Sequence, residues 1–248
     1  GNDSRSLTNL YYKSLLTTFY STLTYSKTIL RDHEITALAG FNREKYTDKY
    51  MSAYIEGFLS NSLTELNAGS SNKNVSGGGT DYGIRSVFGR LNYAFRDKYL
   101  LEANLRYDGS SRFAAANRWG VFPSFSAGWR VDKEAFMQDQ RIFSNLKLRA
   151  SWGRLGNDQI GLYSWISTLS LGSDYYFNGQ PSSGVAQTAV SNPDITWESA
   201  TKTDIGFEAG FLQNRLSIEF DYFNDLRENI LRNINLPWTV GDLAAPAE

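Results

Sequence analysis

The stretch LRYDGSSRFAAANRWGVFPSFSAGWRVDKEAF, residues 105–136, contains two alternating, aromatic-rich strands joined by a polar Gly/Ser loop. Apolar side chains occupy every second position of both strands, which is the period of β-structure. The apolar set is Leu105, Tyr107, Val121, Phe125, Ala127 and Trp129, and the polar set is Arg106, Asp108, Ser124, Ser126, Gly128 and Arg130. The pattern predicts strands that separate an apolar environment from a wet one.

The composition excludes several kinds of site. Among 248 residues the net charge is −1 with both signs interspersed, so we expect no nucleic-acid partner. The chain has no cysteine and a single histidine, His33, which excludes disulfides, thiolate metal sites and multi-histidine metal sites. We therefore expect no metal and no cofactor.

The sequence also lacks the marks of an enzyme. Its acidic residues have no apolar surround of the kind that raises the pKa of a catalytic acid, and its serines belong to no nucleophile motif. We expect no catalytic residues. It contains no apolar run of about 18 residues, whereas alternating strands of about ten residues remain compatible with a membrane barrel.

Parity predicts the register of a hairpin at 87–108. The apolar faces of its two strands match only if the numbers of paired residues add to an even sum. A three-residue turn at 96–98 satisfies this and places Phe95 opposite Tyr99, whereas a two-residue turn would bring one apolar face to the polar side. We expect aromatic pairs at that end of the sheet.

A second hairpin is predicted at 203–222, with a two-residue turn at Gln213 and Asn214. Its register places Glu208 opposite Glu219. Such a like-charge pair is costly unless it is solvated or bridged by a cation.

Short and long connections alternate along the chain. We expect a short helix capped by Asp132 after the strand that ends near 130, and long connections at 42–82, 109–118, 155–200 and from 226 onward. This alternation predicts eight crossing strands and excludes 162–171 as a further crossing.

The long connection at 42–82 carries Tyr46, Tyr50, Tyr54 and Phe58 at every fourth position, followed by SNKNVSGGGTDYG at 71–83. The spacing is compatible with one face of a surface helix, with a twisted strand extension, or with a binding stripe. The Gly/Ser-rich segment is predicted to be a flexible tip.

Periodicity alone leaves two architectures open. A soluble β-sandwich, such as a carbohydrate-binding module, would bury the apolar face, whereas an outer-membrane barrel would turn it to lipid and its charges to a wet lumen. Strands of about ten residues, aromatics at strand ends, and short turns set against long loops favour the barrel.

Three stretches carry a resemblance to a known family: RYDGSSRFAAANRWGVFPSFSAGWR at 106–130, SNLKLRASWGRLGN at 144–157 and NPDITWESATKTDIGFEAGFLQNRL at 192–216. Together they closely resemble the barrel portion of SusC/RagA-type TonB-dependent outer-membrane transporters of Bacteroidetes, over about residues 33–231.

The resemblance implies an all-β fold of antiparallel up-and-down strands, part of a barrel of roughly 22 strands closed by a plug. It also implies import of glycans or peptides across the outer membrane, energised by TonB and assisted by a SusD-like surface lipoprotein. The sequence shows neither a signal peptide nor a plug, so we expect residues 1–248 to be a partial barrel domain. A passive porin is a third reading, which an upstream plug would exclude.

Two sets of residues follow as candidates for function. Loop aromatics offer flat apolar faces with polar rims for a substrate: Tyr82, Trp119, Tyr163, Trp165, Tyr175, Tyr176, Phe177 and Trp197. Charged residues between the apolar positions are predicted to face the lumen: Arg90, Glu102, Arg106, Asp108, Arg130, Lys147, Arg149, Asp204 and Glu208. Packing of the aromatics, and a charge ladder that stiffens the wall, are the alternatives.

Overall fold

The computed structural model describes residues 5–171, 175–177, 179–187, 191–230, 232–235 and 244–247. Eight strands form one sheet in chain order, as predicted. They are β1 (Ser6–Ile29), β2 (His33–Glu56), β3 (Ser71–Phe95), β4 (Tyr99–Ser110), β5 (Trp119–Arg130), β6 (Phe143–Asn157), β11 (Glu198–Phe211) and β12 (Leu216–Glu228).

The connections carry short two-stranded pairs. These are β7 (Leu169–Leu171) with β10 (Val185–Gln187), β8 (Tyr175–Phe177) with β9 (Gln180–Ser182), and β13 (Arg232–Asn235) with β14 (Ala244–Ala247). The region 162–171 therefore adds no crossing strand to the main sheet, which confirms the prediction. In the described part of the chain, no helix is long and apolar enough to span a membrane.

The chain divides into two compact units. Unit 1 comprises Gly1–Thr18 and Glu44–Gly83, and unit 2 comprises Phe19–Arg43 and Ile84–Glu248. In unit 1 two apolar residues are buried, Ile55 near the end of β2 and Phe58 just beyond it.

Two predictions for 42–82 were wrong. The long connection covers only 57–70, because β2 continues to Glu56 and β3 begins at Ser71, and the flexible tip is part of β3. Of the alternatives left open for the tyrosine spacing, the strand extension is observed and the helix is not. Residues four apart share one face of a strand as well as one face of a helix, so the tyrosine spacing could not distinguish them. A Cβ on Gly77 would lie 3.0 Å from the carbonyl oxygen of Tyr50, so glycine here permits close strand pairing.

The first predicted register in unit 2 is confirmed. Phe95 lies opposite Tyr99 across the three-residue turn 96–98, with ring centroids 6.2 Å apart. Arg96 and Asp97 both have left-handed φ values, 53° and 50°, and the Lys98 amide donates to the Phe95 carbonyl over 2.9 Å.

The second register is confirmed too, but its turn was predicted too short. Glu208 lies opposite Glu219, yet the ladder ends at Phe211 and Leu216, which leaves a four-residue turn at 212–215. Three successive residues, 212–214, adopt left-handed φ values. Leu212 and Arg215, which flank the predicted two-residue turn, are therefore part of the turn and not of the ladder.

The connection between β5 and β6 contains two 3-10 turns, Val131–Lys133 and Ala135–Met137, where a capped helix was predicted. Asp132 caps neither turn. Its Oδ1 instead accepts a hydrogen bond from the Leu146 amide over 3.3 Å, at the start of β6. A tertiary partner therefore takes the carboxylate that the prediction assigned to a local cap.

Glu134, in the same connection, joins three chain segments. Its carboxylate accepts hydrogen bonds from the Tyr99 hydroxyl (2.6 Å), the Trp129 indole (3.0 Å) and the Lys98 ammonium (3.3 Å). These donors, Tyr99 foremost, hold the pKa of Glu134 below its usual range. We call Glu134 and its three donors the turn-end cluster.

The apolar face of unit 2 is uncovered. Leu105, Phe125 and Ile205 are 53%, 53% and 57% exposed. Among the described residues, the other sheets are two-stranded pairs in the connections, so no second layer buries this face. The β-sandwich reading is wrong for this reason.

Candidate functional site: the polar face of unit 2

All nine predicted lumen residues lie on one face of the sheet in unit 2, which we call the polar face. Residues directly opposite each other in an antiparallel ladder share a face, and the registers connect the set from strand to strand. The paired residues are Arg90↔Asn104, Glu102↔Ser126, Ser126↔Ser151, Ser151↔Asp204, Arg130↔Lys147 and Lys147↔Glu208. Arg106 and Asp108 share the face of Glu102 and Asn104, because these four residues occupy every second position of β4.

Arg149 resolves the like-charge pair on β11 and β12. Its guanidinium contacts Glu208 (3.1 Å), Glu219 (2.5 Å) and Asp221 (2.5 Å), and Lys147 contacts Glu208 at 3.4 Å. A cation thus bridges the two glutamates, which is one of the two ways of accommodating the pair that the predicted register left open. Alternation identified Lys147, Arg149 and Glu208, but it could not show that three carboxylates converge on one guanidinium.

Space for this cluster comes from Gly206, directly opposite Asp221. A Cβ on Gly206 would lie 2.0 Å from Oδ1 of Asp221. Any side chain here would displace the carboxylate from Arg149.

A second group of charges lies on β3 and β4. Arg90 donates to the side chain of Asn104 over 2.8 Å, and Asn104 donates to Glu102 over 2.7 Å. Arg106 makes two hydrogen bonds to Asp108, 3.0 and 3.2 Å long, and its guanidinium lies 5.2 Å from the ring centroid of Phe88. Arg130, by contrast, pairs with Asp97 in the turn before β4, at 2.8 Å.

Between the two groups the polar face has a depression of about 450 Å³. Its lining includes Glu34, Asn92, Glu102, Lys147, Arg149 and Asp204. The side-chain oxygen of Asn92 is covered from solvent and accepts no hydrogen bond. That oxygen is closed to a visiting molecule, and both lining cations already contact carboxylates. The groups of the depression that can accept hydrogen bonds from a visitor are the exposed carboxylate of Glu34 and the half-buried carboxylates of Glu102 and Asp204.

The ends of strands β4, β5 and β11 enclose a buried apolar cluster. We call it the loop-end core: Phe113, Phe122, Ile195 and Trp197, which are between 0% and 9% exposed. The Trp197 ring contacts Phe113 and Phe122 at centroid distances of 5.2 Å each, and its indole N–H donates to the Arg118 carbonyl over 3.0 Å.

Asp158, at the end of β6, anchors the connection 158–197 to the same region. It is 8% exposed and accepts a hydrogen bond of 2.7 Å from the Ser110 hydroxyl, while Arg112 lies 3.7 Å away. Arg112 also donates to the Ile160 carbonyl over 2.6 Å. Both ends of 158–197 are therefore held by residues 110–118.

The sequence reasoning missed Phe113, Phe122, Ser110 and Asp158. Phe122 occupies a position of β5 at which alternation predicts a polar side chain, so the pattern did not indicate that it is buried. The signal that could have found it is glycine, because a Cβ on Gly156 would lie 2.0 Å from the Phe122 ring.

The eight aromatic candidates do not converge on one place. Trp197 is buried in the loop-end core, and Trp119 lies on the apolar face, stacked on Tyr107 at 4.7 Å. Tyr82, in unit 1, stacks on Tyr46 at 5.2 Å.

The other candidates lie in the connection 158–197. Tyr176 and Phe177 are 71% and 72% exposed, Tyr163 is 37% exposed, and Trp165 is half-buried with an indole N–H that lacks a hydrogen-bond partner. For Tyr175 only the strand position is described, and its side chain lies outside the description.

Comparison with known proteins identifies the fold's relatives. The family model described as TonB dependent receptor-like, beta-barrel, matches residues 1–244. TonB-dependent receptor P26 of Formosa agariphila is 34% identical over 224 residues, 89% of this chain and 22% of that protein. SusC of Bacteroides thetaiotaomicron is 34% identical over 155 residues, 61% of this chain and 16% of that protein.

Among solved structures, the RagAB peptide transporter matches with a TM-score of 0.88 and 27% identity, over 97% of this chain and 26% of that one. The chain spans about a fifth of the length of the curated relatives it matches. The predicted resemblance is confirmed: this chain belongs to the TonB dependent receptor-like β-barrel family.

Proposed function

We propose that this chain is a segment of the barrel wall of a SusC/RagA-like TonB-dependent receptor in the outer membrane. One observation carries the proposal: a single sheet in unit 2 has an uncovered apolar face and a charged opposite face. A membrane barrel requires this arrangement, because its outer surface meets lipid and its inner surface meets water.

In this proposal the nine charged residues of the polar face line the lumen. Their ion pairs keep the wall rigid, and the acceptors around the depression contact polar cargo as it passes. The exposed aromatics of 158–197 meet the cargo first: Tyr163, Tyr176 and Phe177. Trp119 serves the lipid side and Trp197 the packing of the loops.

The cargo is a glycan or a peptide, a SusD-like lipoprotein assists its capture, and TonB supplies the energy. The names of the relatives support these parts of the proposal: TonB-dependent receptors, SusC, and a transporter of peptides. The proposed role is that of a transporter, without catalytic chemistry.

A matched pair of variants tests the orientation of the two faces. In the whole receptor, Phe125→Arg would place a charge against lipid at a cost of up to about 2–4 kcal/mol, whereas Ser126→Arg would place the same charge in the lumen. We expect Phe125→Arg to reduce the folded receptor in outer-membrane fractions and Ser126→Arg to leave it near the wild-type amount. The reverse order would contradict the proposed orientation.

Uptake measurements test the cargo. Cells that express the receptor as their sole importer of this family receive fluorescent oligopeptides or fluorescent oligosaccharides, with and without TonB. We expect TonB-dependent accumulation of one class. Accumulation that is independent of TonB would instead support a passive pore.

A further inference from the structure

Unit 1 presents a sheet face on which five tyrosines lie together, which we call the tyrosine face: Tyr12, Tyr46, Tyr50, Tyr54 and Tyr82. Tyr12 stacks on Tyr50 with centroids 6.3 Å apart, and Tyr46 stacks on Tyr82. Tyr54 shares the face because it lies four residues beyond Tyr50 on the same strand.

Two of the five rings are exposed, and those of Tyr46, Tyr54 and Tyr82 are half-buried. Tyr12 is 66% exposed and Tyr50 is 43% exposed. A Cβ on Gly78 would lie 2.9 Å from the Tyr50 ring, so this ring covers the β3 backbone at a position without a side chain. Since Tyr12 stacks on Tyr50, the surface that this pair offers to a ligand is the exposed part of the two rings.

Charge is divided unequally between the two faces of this unit. Glu44, Asp48 and Glu56 lie an even number of residues from the tyrosines of β2 and therefore share the tyrosine face. Side-chain contacts confirm the placement of two of them, since Ser14 donates to Asp48 over 2.5 Å and Asn72 donates to Glu56 over 2.5 Å.

The lysines lie on the other face. Each lies an odd number of residues from the tyrosine-face residues of its own strand: Lys13, Lys45, Lys49 and Lys73. Lys49 is placed there by Gly79, whose Cβ would lie 3.3 Å from Lys49 Cγ. In the strand segments 6–18, 44–56 and 71–83, the tyrosine face thus carries three carboxylates and no cation.

We propose that the tyrosine face binds a cationic peptide segment through its lysine or arginine side chains. Exposed aromatic π-faces attract cations, and the neighbouring carboxylates attract cations as well. A neutral sugar would stack on the rings but would gain nothing from the carboxylates, and an anionic ligand would be repelled. Charge complementarity therefore selects the cationic occupant, whether or not the chain belongs to an importer.

The test uses the whole receptor in nonionic detergent, with hexalysine as probe and hexaglutamate and maltohexaose as comparisons. We expect hexalysine to bind and its affinity to fall as salt rises from 20 to 300 mM, roughly as screening of exposed charges requires. Preferential binding of maltohexaose or hexaglutamate would overturn the proposal.

Variants locate the site. Tyr50→Leu keeps an apolar side chain but removes the π-face, and we expect affinity for hexalysine to fall about two- to fivefold. Glu44→Gln removes one charge and should weaken binding and lower its salt dependence. The matched control is Tyr11→Leu, on the opposite face.

An equal loss of hexalysine affinity in Tyr50→Leu and Tyr11→Leu would overturn the assignment of this face. Unchanged affinity in both Tyr50→Leu and Glu44→Gln would overturn it as well. Circular dichroism of every variant, matched to wild type, keeps a change of fold apart from a change of binding.

Discussion

The turn-end cluster and the loop-end core stabilise opposite ends of the strands in unit 2 by different means. At the turn end, the Glu134 carboxylate collects three donors from nearby segments at a partly hydrated surface. At the loop end, Trp197 and Phe113 are desolvated, and the polar groups beside them are buried in pairs. Removal of a buried side chain destabilises the folded chain more than removal of a charge at the surface does. The two ends should therefore respond very differently to substitution.

The largest effect is expected for Trp197→Ala. Removal of a buried tryptophan leaves a cavity in the loop-end core and costs about 3–5 kcal/mol. Hydrogen exchange of peptides that cover 110–118 and 192–198 should accelerate strongly. Trp119→Ala is the control, since this tryptophan is 44% exposed, and exchange at 192–198 should stay near wild type. Equal acceleration in both would show that the core does not hold the loop ends.

Asp158→Asn should have an intermediate effect. The substitution keeps the shape of the side chain but removes a buried charge that faces Ser110 and Arg112, at a cost of about 1–3 kcal/mol. Limited proteolysis should cut the connection 158–197 sooner than in wild type. Asp194→Asn changes an exposed acid of the same connection and should leave the cleavage rate unchanged. No difference between the two variants would argue against a clamp at Asp158.

Glu134→Gln should have the smallest effect and the clearest dependence on pH. Since the pKa of Glu134 is lowered in the folded chain, its stabilisation is complete above the unfolded-state value of about 4.3 and is lost as pH falls through the folded-state value. Protection factors at 96–99 and 131–137, which correct for the pH dependence of intrinsic amide exchange, should therefore be high at pH 6 and fall below about pH 4.3 in wild type.

In Glu134→Gln that acid-dependent fall in protection should disappear, and protection at pH 6 should already be lower than in wild type. Asp139→Asn, an exposed acid in the same connection, provides the control. A wild-type profile in Glu134→Gln would show that other groups hold the turn end.

Much of the sheet was predictable because each strand alternates with period two. A shift of one residue would have turned Phe95 or Glu208 to the opposite face, so parity combined with a short turn selected the registers that the structure has. The turn at 212–215 could not be predicted in this way, since a two-residue and a four-residue turn share one register.

The long strands of unit 1 show the limit of local patterns. Gly77 to Gly79 suggested a flexible tip, but Cβ atoms on Gly77 and Gly79 would lie 3.0 and 2.8 Å from carbonyl oxygens of β2. Glycine is tolerated there because a neighbouring backbone approaches closely, and that neighbour is invisible in the local sequence.

By itself, the sequence determined the two-faced strands, their pairing and the family, because all three depend on alternation and motifs within short stretches. Only the tertiary structure decided which tryptophan is buried, where Asp132 binds and which guanidinium bridges Glu208 and Glu219. These outcomes depend on groups far apart in the chain, such as Arg149 and Asp221. The folded sheet sets their distances, and distance and desolvation determine the strength of packing and charge interactions.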